Sequence, residues 1–360
     1  MSKFYPLNVA KVKHETRDAI AVTFDVPPEL KPQFTYQQGQ HLTLRAMIDG
    51  EDVRRSYSIC SAVQDDQLRV AIKRVGGGQF STWANEHLKP GSMLEVMPPM
   101  GHFNVPLEPS SERHYLLFAA GSGITPILSI IKTTLLTEPN SHFTLFYGNR
   151  ASSTVIFKEE LTDLKDVFMH RLRLAYVMSR EQQDIALFNG RITGEKCADF
   201  LRHWVHVDDI DVAFVCGPED MMHGVSAALQ AAGMAKERIR IELFAASIPK
   251  HQHKVRPGAQ AVEANALTEV TVIMDGAHAS FTMERDKESV LDAGLRAGID
   301  MRYSCKGGVC STCRCKLVEG KVDMDVNYAL EDYEVARGFV LSCQSFPVTD
   351  RVVVDFDQAE

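Results

Sequence analysis

The chain has 360 residues, of which 45% are hydrophobic and 24% are charged, the balance of an ordinary globular protein. This length suits two or three domains rather than one. The formal net charge of −8 argues against a nucleic-acid-binding surface, and no apolar run is long enough to predict a membrane span. The first residues lack an apolar stretch and a cleavage site, so we expect no secretory signal and a cytoplasmic location.

The hydrophobic pattern changes along the chain. Residues 1–107 contain short alternating strands between Pro and Gly turns, with one amphipathic helix near 81–88, which predicts an antiparallel β-barrel. Residues 112–244 alternate apolar strands with helices, which predicts a parallel α/β sheet. Residues 245–267 lack periodicity and are polar and rich in Pro, Gly and Ala, so we expect a linker there.

An acidic region occupies residues 268–360. From Glu269 to Glu360 there are 17 acidic and 10 basic residues, whereas the rest of the chain is nearly neutral. The region opens with two strand-like runs around Asp275-Gly276, a dipeptide typical of tight β-hairpin turns. We expect a separate module here, whose charge makes docking to a partner salt-dependent unless the acidic face is only solvated.

Four of the eight cysteines lie within residues 305–315. Cys305, Cys310 and Cys313 have the spacing C-x4-C-x2-C, and Cys343 follows at a distance. This is the spacing by which plant-type ferredoxins hold a [2Fe–2S] cluster, in which each iron takes two thiolates. Without a secretory signal, such a cysteine group indicates metal binding rather than disulfides.

The loop between the first two of these cysteines contains Gly307 and Gly308. They permit the tight turns that a short loop around a cluster needs, and their N–H groups can point at the sulfur atoms. A four-thiolate zinc site is the alternative, although zinc ligands usually come in two short pairs. Cys315 is expected to be a buried strand residue rather than a ligand, and Cys60 and Cys197 to be small apolar residues.

A nucleotide motif, AGSGITP, occupies residues 120–126, between an apolar strand and an apolar helix. At such a junction, G-x-G brings the backbone close to a pyrophosphate at a helix N-terminus, although a plain tight turn is the alternative. The next two strands end in Asn149-Arg150 and Ser179-Arg180. Guanidinium groups there favour a 2′-phosphate, which predicts NADPH rather than NADH; the alternative is arginines that are merely exposed.

Two segments of the barrel suit a flavin. On one strand, alternation puts Arg55 and Tyr57 on one face and Ser58 on the other, so a cation and an aromatic ring are available together. The run GGGQFS at residues 76–81 precedes the helix of the barrel, which is a phosphate-binding arrangement. A plain strand and a plain turn are equally compatible with these two segments.

Together these segments resemble the ferredoxin–NADP reductase superfamily. The motifs R-x-Y-S, G-G-x-x-S, G-x-G-x-x-P, Y-G-N-R, S-R-E-Q and C-G-P occur in that family's order, followed by the ferredoxin-like cysteine loop. The resemblance spans nearly the whole chain and extends to the reductase components of multicomponent oxygenases, including that of an epoxidase. It implies an antiparallel six-stranded flavin-binding β-barrel, an NADP-binding α/β domain with a parallel sheet, and a β-grasp plant-type ferredoxin domain.

The resemblance also implies roles for residues at matching positions. The flavin is expected to be held by Arg55, Tyr57, Ser58, Lys73, Val75, Gly78 and Ser81. The nicotinamide nucleotide is expected to bind Gly123, Thr125, Asn149, Arg150, Ser179, Arg180, Gly217 and Pro218. The residues expected beside the reacting rings are Tyr57, Ser58, Cys216 and Phe244. The expected cluster ligands are Cys305, Cys310, Cys313 and Cys343.

The activity that the resemblance implies is an electron relay. NADPH would give a hydride to FAD, and single electrons would pass to the [2Fe–2S] cluster and on to a diiron oxygenase component. FMN in place of FAD stays open, because some relatives with a fused ferredoxin domain use it. The alternatives are the same relay serving another oxygenase or hydroxylase, or a redox-sensing subunit without turnover. No nucleic-acid or membrane partner is expected.

Overall fold

The structure is a computed structural model that describes residues 4–244, 266–285 and 287–358. These residues form two compact units, one within 5–244 and one within 266–358. Most of the expected linker, residues 245–265, lies outside the described residues, and Leu267 at its end already belongs to the first strand of the second unit.

The first unit opens with six antiparallel strands. They are β1 Tyr5–Thr16, β2 Ala19–Asp25, β3 His41–Ile48, β4 Glu51–Ser58, β5 Leu68–Lys73 and β6 Met93–Val96. They pair in the order β4-β3-β6-β1-β2-β5, and a single bridge between Ile59 and Val70 joins the two edges. Helix α1, Gln79–His87, buries Phe80 and Ala84 in the barrel core. The predicted six-stranded barrel with one helix is confirmed.

The same unit continues as an α/β domain. Its strands are β7 His114–Ala120, β8 His142–Asn149, β9 Leu172–Met178, β10 Val212–Gly217 and β11 Ile239–Leu243. Its helices are α2 Ile124–Thr137, α3 Lys158–Val167, α4 Gly194–His203 and α5 Glu219–Ala231. All strands are parallel, in the order β11-β10-β7-β8-β9. The order reverses between β10 and β7, where open α/β sheets form a binding crevice.

The barrel and the parallel sheet share a hydrophobic core. Small residues on the outer surface of the barrel, Ala19, Ala21 and Ala71, belong to the same buried cluster as the sheet residues Leu117 and Phe214. Because alanine adds little bulk, the two layers approach closely. Strands β2 and β5 of the barrel, which carry these alanines, therefore pack against the parallel sheet.

The second unit is a small mixed sheet with two short helices. Its strands are β12 Leu267–Met274, β13 Ala277–Glu284, β14 Arg314–Glu319, β15 Val322–Met324, β16 Phe339–Leu341, β17 Ser345–Pro347 and β18 Arg351–Asp355. Helices α6 and α7 span Val290–Arg296 and Asp332–Ala336. The main sheet has the order β13-β12-β18-β14-β16, and β12 and β18 run parallel, as expected for a β-grasp fold.

The hairpin at the start of this unit forms where the sequence predicts it. Asp275 and Gly276 both adopt positive φ, 52° and 71°, the conformation that a type I′ turn requires. Their two N–H groups donate to the carboxylate of Asp357 at 2.7 and 2.8 Å. Residues far apart in sequence are thereby joined, which ties the hairpin to the end of the last strand.

Among the helices described here, none combines the length and the apolar character that crossing a membrane requires.

Candidate functional site

A cleft of about 530 Å³ opens at the carboxyl edge of the parallel sheet. The expected site residues that line it are Lys73, Gly123, Asn149, Arg150, Ser179, Arg180, Gly217, Pro218 and Phe244. They come from separate stretches of sequence, which the ends of β5, β7, β8, β9, β10 and β11 bring together. The cleft lies where the strand order reverses, the position at which such sheets bind nucleotides.

Close backbone contact shapes the floor of the cleft. A Cβ atom on Gly123 would lie 2.1 Å from the carbonyl oxygen of Cys216. On Gly217 it would lie 3.1 Å from the Cβ atom of Ala120 and closer still to Met221. Glycine is therefore required at position 123, where the clash is with backbone, and a larger residue at position 217 would have to displace Met221.

The far end of the cleft is polar and cationic. The N–H groups of Ser179 and Arg180 donate to the carbonyl oxygens of Asn149 and Arg150, at 2.9 and 2.8 Å, which aligns the two strand ends. Asn149 is 8% exposed, and its Nδ2 has no partner within the described part of the chain. A third exposed guanidinium, Arg191, lines the same end. An anionic ligand with a hydrogen-bond acceptor fits this lining.

Sequence reasoning did not single out Arg191. It follows Gly190 rather than a strand, so the strand-end pattern that marked the other two arginines gave no signal for it.

Thr125 lies behind the floor of the cleft. It is 2% exposed, and its hydroxyl donates to the carbonyl oxygen of Ser122 at 3.0 Å. It is therefore placed to hold the glycine loop in shape.

The expected flavin residues lie on β4, on β5 and at the start of α1. The Tyr57 ring is 5.7 Å from that of Phe80, and burial raises the pKa of the Tyr57 hydroxyl. Arg55 is exposed, and its Nη1 donates to the carbonyl oxygen of Arg54 at 2.7 Å. An aromatic ring and a solvent-facing cation thus occur two residues apart, as the sequence suggested.

Gly78 is the N-cap of α1, and the turn before the helix is held together by Ser81. The Ser81 hydroxyl accepts from the N–H of Val75 at 3.1 Å and donates to the carbonyl oxygen of Gly78 at 3.2 Å. A Cβ on Gly78 would lie 2.6 Å from that hydroxyl. The turn therefore presents a bare helix N-terminus, which suits a phosphate group.

Glu242 is a site residue that sequence reasoning missed. The hydroxyl of Ser58 donates to its Oε2 at 3.0 Å. Burial raises the pKa of Glu242 to about 8, against the opposing effect of that hydrogen bond. Cys216 is fully buried, and burial together with the nearby Glu242 raises the pKa of its thiol. The family resemblance pointed to Phe244, two residues further on, but only the fold brings Glu242 to Ser58.

The four expected cluster ligands come together as two pairs in the second unit. The thiols of Cys305 and Cys310 are within hydrogen-bonding reach of each other, as are those of Cys313 and Cys343. Two pairs of thiols match a two-iron cluster, in which each iron takes two of them. Among the described residues, no group of three or more His, Cys, Asp or Glu is placed to hold a single metal ion.

The cysteine loop turns sharply to bring its thiols together. Lys306, Gly308 and Ser311 adopt positive φ, and the N–H of Gly307 donates to Cys305 Sγ at 3.3 Å. Hydrogen bonds of this kind stabilise negative charge on a ligating sulfur. The donor set and its wrapping therefore fit a [2Fe–2S] cluster.

A side chain outside the loop adds another donor. Gln344 Nε2 donates to the carbonyl oxygen of Lys306 at 2.9 Å and to Cys343 Sγ at 3.7 Å. Gln344 is 8% exposed, so this contact is shielded from water. Cys315 lies on β14, is 1% exposed, and points to the backbone of Val340, as expected of a thiol that is not a ligand.

Comparison with known proteins agrees with this division of the chain. The oxidoreductase FAD-binding domain model matches residues 6–105, and the oxidoreductase NAD-binding domain model matches residues 117–227. The model of the 2Fe-2S iron-sulfur cluster binding domain matches residues 272–348. The last match favours the two-iron cluster over the zinc site.

Whole proteins of the same layout are similar to this chain. One subunit of the 1,2-phenylacetyl-CoA epoxidase of Escherichia coli (strain K12) is 47% identical over 99% of both chains. The ferredoxin reductase component of the 3-ketosteroid-9-alpha-monooxygenase of Rhodococcus rhodochrous is 36% identical, over 97% of this chain and 96% of that one. The structure of phthalate dioxygenase reductase matches 98% of both chains with a TM-score of 0.58 at 23% identity, which supports the fold.

A flavin-binding barrel, a nucleotide-binding parallel sheet and a four-thiol loop in one polypeptide define an oxidoreductase that moves electrons from a nicotinamide through a flavin to an iron–sulfur cluster. The chain belongs to the ferredoxin–NADP reductase superfamily, among the reductase components of oxygenases that have a carboxyl-terminal plant-type [2Fe–2S] domain.

Proposed function

We propose that this protein is the NADPH-dependent reductase component of a phenylacetyl-CoA epoxidase in aerobic phenylacetate breakdown. The observation that carries the proposal is the 47% identity to the epoxidase subunit from Escherichia coli, which extends over 99% of the chain and includes all three domains. The electron acceptor is the oxygenase component of the complex. The reaction takes place in the cytoplasm, a reducing compartment that suits eight free cysteines.

The choice of NADPH rests on the cationic end of the cleft. Arg150, Arg180 and Arg191 all line it, and the first two are held side by side by a backbone hydrogen bond. Three guanidinium groups match the charge and the acceptor oxygens of a 2′-phosphate. Ser179 adds a hydroxyl donor at the same place.

The flavin, FAD, is assigned to the barrel face and the start of α1. Tyr57 would pack against the ring system, Arg55 would pair with the phosphates, and Ser81 would fix the turn whose N–H groups face them. We assign Lys73 to the boundary between the two cofactor sites, since it ends β5 and its Nζ is 3.5 Å from the position that a Cβ atom would take on Gly121 of the glycine loop. A cation there neutralises charge from both phosphate chains.

When bound, FAD supplies the chemistry by which a two-electron donor is coupled to the one-electron [2Fe–2S] cluster. The residues of the chain bind the flavin and the nicotinamide nucleotide and orient them toward each other. Gly123 and Gly217 let the nicotinamide end approach the floor of the cleft, and Phe244 closes its side. Ser58 and Glu242 hold a proton between Oγ and Oε2 next to the expected flavin position, and the neighbouring Cys216 is fully buried.

The proposal is tested with purified protein that contains FAD and its iron. It should oxidise NADPH with ferricyanide or cytochrome c as acceptor, and epoxidation of phenylacetyl-CoA by the oxygenase component should require it. A preparation with both cofactors that fails to oxidise NADPH refutes the reductase assignment. NADPH oxidation without support of the epoxidase refutes only the choice of partner.

A second candidate acceptor is the oxygenase of a steroid 9α-hydroxylation system. The 36% identity to the ferredoxin reductase component of the 3-ketosteroid-9-alpha-monooxygenase favours it over other hydroxylases. Exchanging the oxygenase components in one assay separates the two, because the correct partner gives coupled product formation. Steady NADPH turnover argues against a redox-sensing subunit without turnover.

A further inference from the structure

Four charged residues connect the barrel to the nucleotide-binding domain. Arg69 Nη2 donates to both carboxylate oxygens of Glu160 at 2.9 Å. Lys132 Nζ donates to Glu160 Oε1 at 2.8 Å and to Asp65 Oδ2 at 2.5 Å. Asp65 and Arg69 belong to the barrel, whereas Lys132 lies on α2 and Glu160 on α3. Two of these ion pairs, Asp65–Lys132 and Arg69–Glu160, therefore join the barrel to the nucleotide-binding domain.

The four side chains of the network are largely, but not fully, buried. The side chains of Arg69, Lys132, Glu160 and Asp65 are 15%, 14%, 24% and 26% exposed. Burial disfavours ionised Glu160, but the hydrogen bonds from Arg69 and Lys132 outweigh it and lower the pKa of this carboxyl. Charged groups in such a place depend on one another, because removing one leaves its partner buried without compensation.

Three members of the network, Lys132, Glu160 and Arg69, lie on elements that adjoin or border the nucleotide cleft. Lys132 is on α2, which begins directly after the glycine loop 121–123, and Glu160 is on α3, which follows the cleft-lining loop 149–154. Arg69 shares a strand face with Lys73, four residues on, since side chains alternate along a strand. The network therefore fastens both nucleotide loops to the strand that borders the flavin site.

We propose that the Asp65–Lys132–Glu160–Arg69 network is a positioning element that sets the distance and angle between the nicotinamide and the flavin. This inference rests on the proposed function only for its first step, the transfer of a hydride from NADPH to FAD. In that step both electrons move with the hydride, and the nucleotide leaves as NADP⁺. None of the four residues lines the nicotinamide end of the cleft. Loss of one charge should therefore slow this transfer without weakening NADPH binding to the same degree.

The chain provides a matched control next to Glu160. Glu159 also pairs across the domain boundary, with Lys13 of β1 at 3.5 Å. These side chains are 85% and 47% exposed, so water and salt screen the pair. Glu159→Gln removes the same charge from the same helix without breaking the buried network.

The experiment is anaerobic rapid mixing of the holoenzyme with NADPH, and with NADPH that has deuterium at the transferred position. In Glu160→Gln, we expect the limiting rate of flavin bleaching to fall about fivefold or more, with the isotope effect retained and the apparent Kd for NADPH within about twofold of wild type. Glu159→Gln should match wild type in both quantities. Equal limiting rates for the two variants, or a defect confined to the Kd, overturn the inference.

A second pair of variants guards against misfolding of Glu160→Gln. Lys132→Arg keeps the charge and should keep most of the rate, whereas Lys132→Gln should lose it. Identical rates in these two variants also overturn the inference. Failure of wild-type protein to reduce its flavin with NADPH is a different result, which refutes the proposed function instead.

Discussion

Ser58 and Glu242 are 184 positions apart in sequence, yet the serine hydroxyl donates to the glutamate carboxylate at 3.0 Å. Ser58 ends β4 of the barrel and Glu242 lies on β11 of the parallel sheet. The contact therefore joins the two domains beside the place expected for the flavin ring. It also sets a partly buried carboxyl in surroundings that disfavour its charge.

The raised pKa of Glu242 predicts a pH dependence of stability. Its pKa in the folded protein, about 8, is above the ordinary value of 4.5. The stabilising contribution of the protonated carboxyl is therefore complete below pH 4.5 and is lost as the pH rises through about 8. Relative to Glu242→Gln, the Tm of wild type should fall by a few degrees over this window. Parallel Tm profiles of the two proteins from pH 5 to 8.5 would contradict the assignment.

Removal of a cleft arginine should change nucleotide preference. Arg150→Ala and Arg180→Ala should raise KM for NADPH by about ten- to a hundredfold, since a charge-assisted contact contributes about 1.5–3 kcal/mol. KM for NADH, which has no 2′-phosphate, should change little. Steady-state kinetics with both nucleotides measure this. Arg173→Ala is the control, because Arg173 is exposed on β9 but does not line the cleft. Equal effects on both nucleotides would refute the 2′-phosphate site.

The pairing of thiols predicts which cysteines hold iron. Cys343→Ser should lose the visible absorption and the electron paramagnetic resonance signal of the cluster, because one iron is left with a single thiolate. Flavin reduction by NADPH should continue. Cys315→Ser is the control, since this buried thiol is only two residues from Cys313. Full iron and sulfide content in Cys343→Ser would show that the fourth ligand is elsewhere.

The amide of Gln344 should tune the potential of the cluster. Gln344→Leu removes the hydrogen bond to Cys343 Sγ, and less stabilisation of negative charge makes reduction harder. We expect a more negative midpoint potential in a redox titration followed by electron paramagnetic resonance. The iron content should not change. An unchanged or more positive potential would argue against the contact.

Glycine at position 123 should be indispensable. In Gly123→Ala the new methyl group would overlap the carbonyl oxygen of Cys216, so the two loops must separate. We expect a loss of about 1–3 kcal/mol in the free energy of unfolding and a higher KM for NADPH. Denaturant titration and kinetics measure the two effects. Gly76→Ala is the control, because a Cβ there meets open space; equal losses in both variants would indicate a general effect of the added methyl group.

Local patterns were sufficient to predict an antiparallel barrel, a parallel α/β sheet and a separate cysteine-containing module, whereas the β-grasp fold of that module came from the family resemblance. The run HLTLRAMI, in which apolar residues alternate with others, coincides with β3. The continuous apolar run before the glycine loop coincides with β7. Both were predictable because alternating and continuous apolar runs are each typical of a kind of strand. The Asp275-Gly276 turn was predictable because few other dipeptides accept positive φ twice. The cysteine loop was predictable because metal chemistry fixes the spacing of its ligands.

Contacts between distant segments were not predictable from one sequence. Glu242 and Arg191 have no local pattern that marks them, since each is defined by what the fold brings next to it. Lys132 and Glu160 look like ordinary charges on amphipathic helices, and only the packing of the barrel shows that they are shielded. Thr125 shows the opposite case, in which a local motif predicts a ligand contact that the fold does not provide. It belongs to the nucleotide motif at residues 120–126, but its hydroxyl donates to the backbone of Ser122.

The extent of hydrogen bonding between neighbouring strands differs around the barrel. Strands β1 and β2 share a long ladder, whereas the backbone pairing between the ends of β4 and β5 consists of the bridge from Ile59 to Val70 and one N–H that Cys60 donates to the carbonyl oxygen of Arg69. Side-chain hydrogen bonds of Cys60 and Arg69 add to this junction. Transient opening by thermal fluctuation should therefore cost less at this seam than along the β1–β2 ladder. Tyr57 and Ser58, which are expected to contact the flavin, immediately precede this seam. Opening of the seam should therefore expose the amides of residues 59–60 to deuterium exchange and release the flavin in the same event.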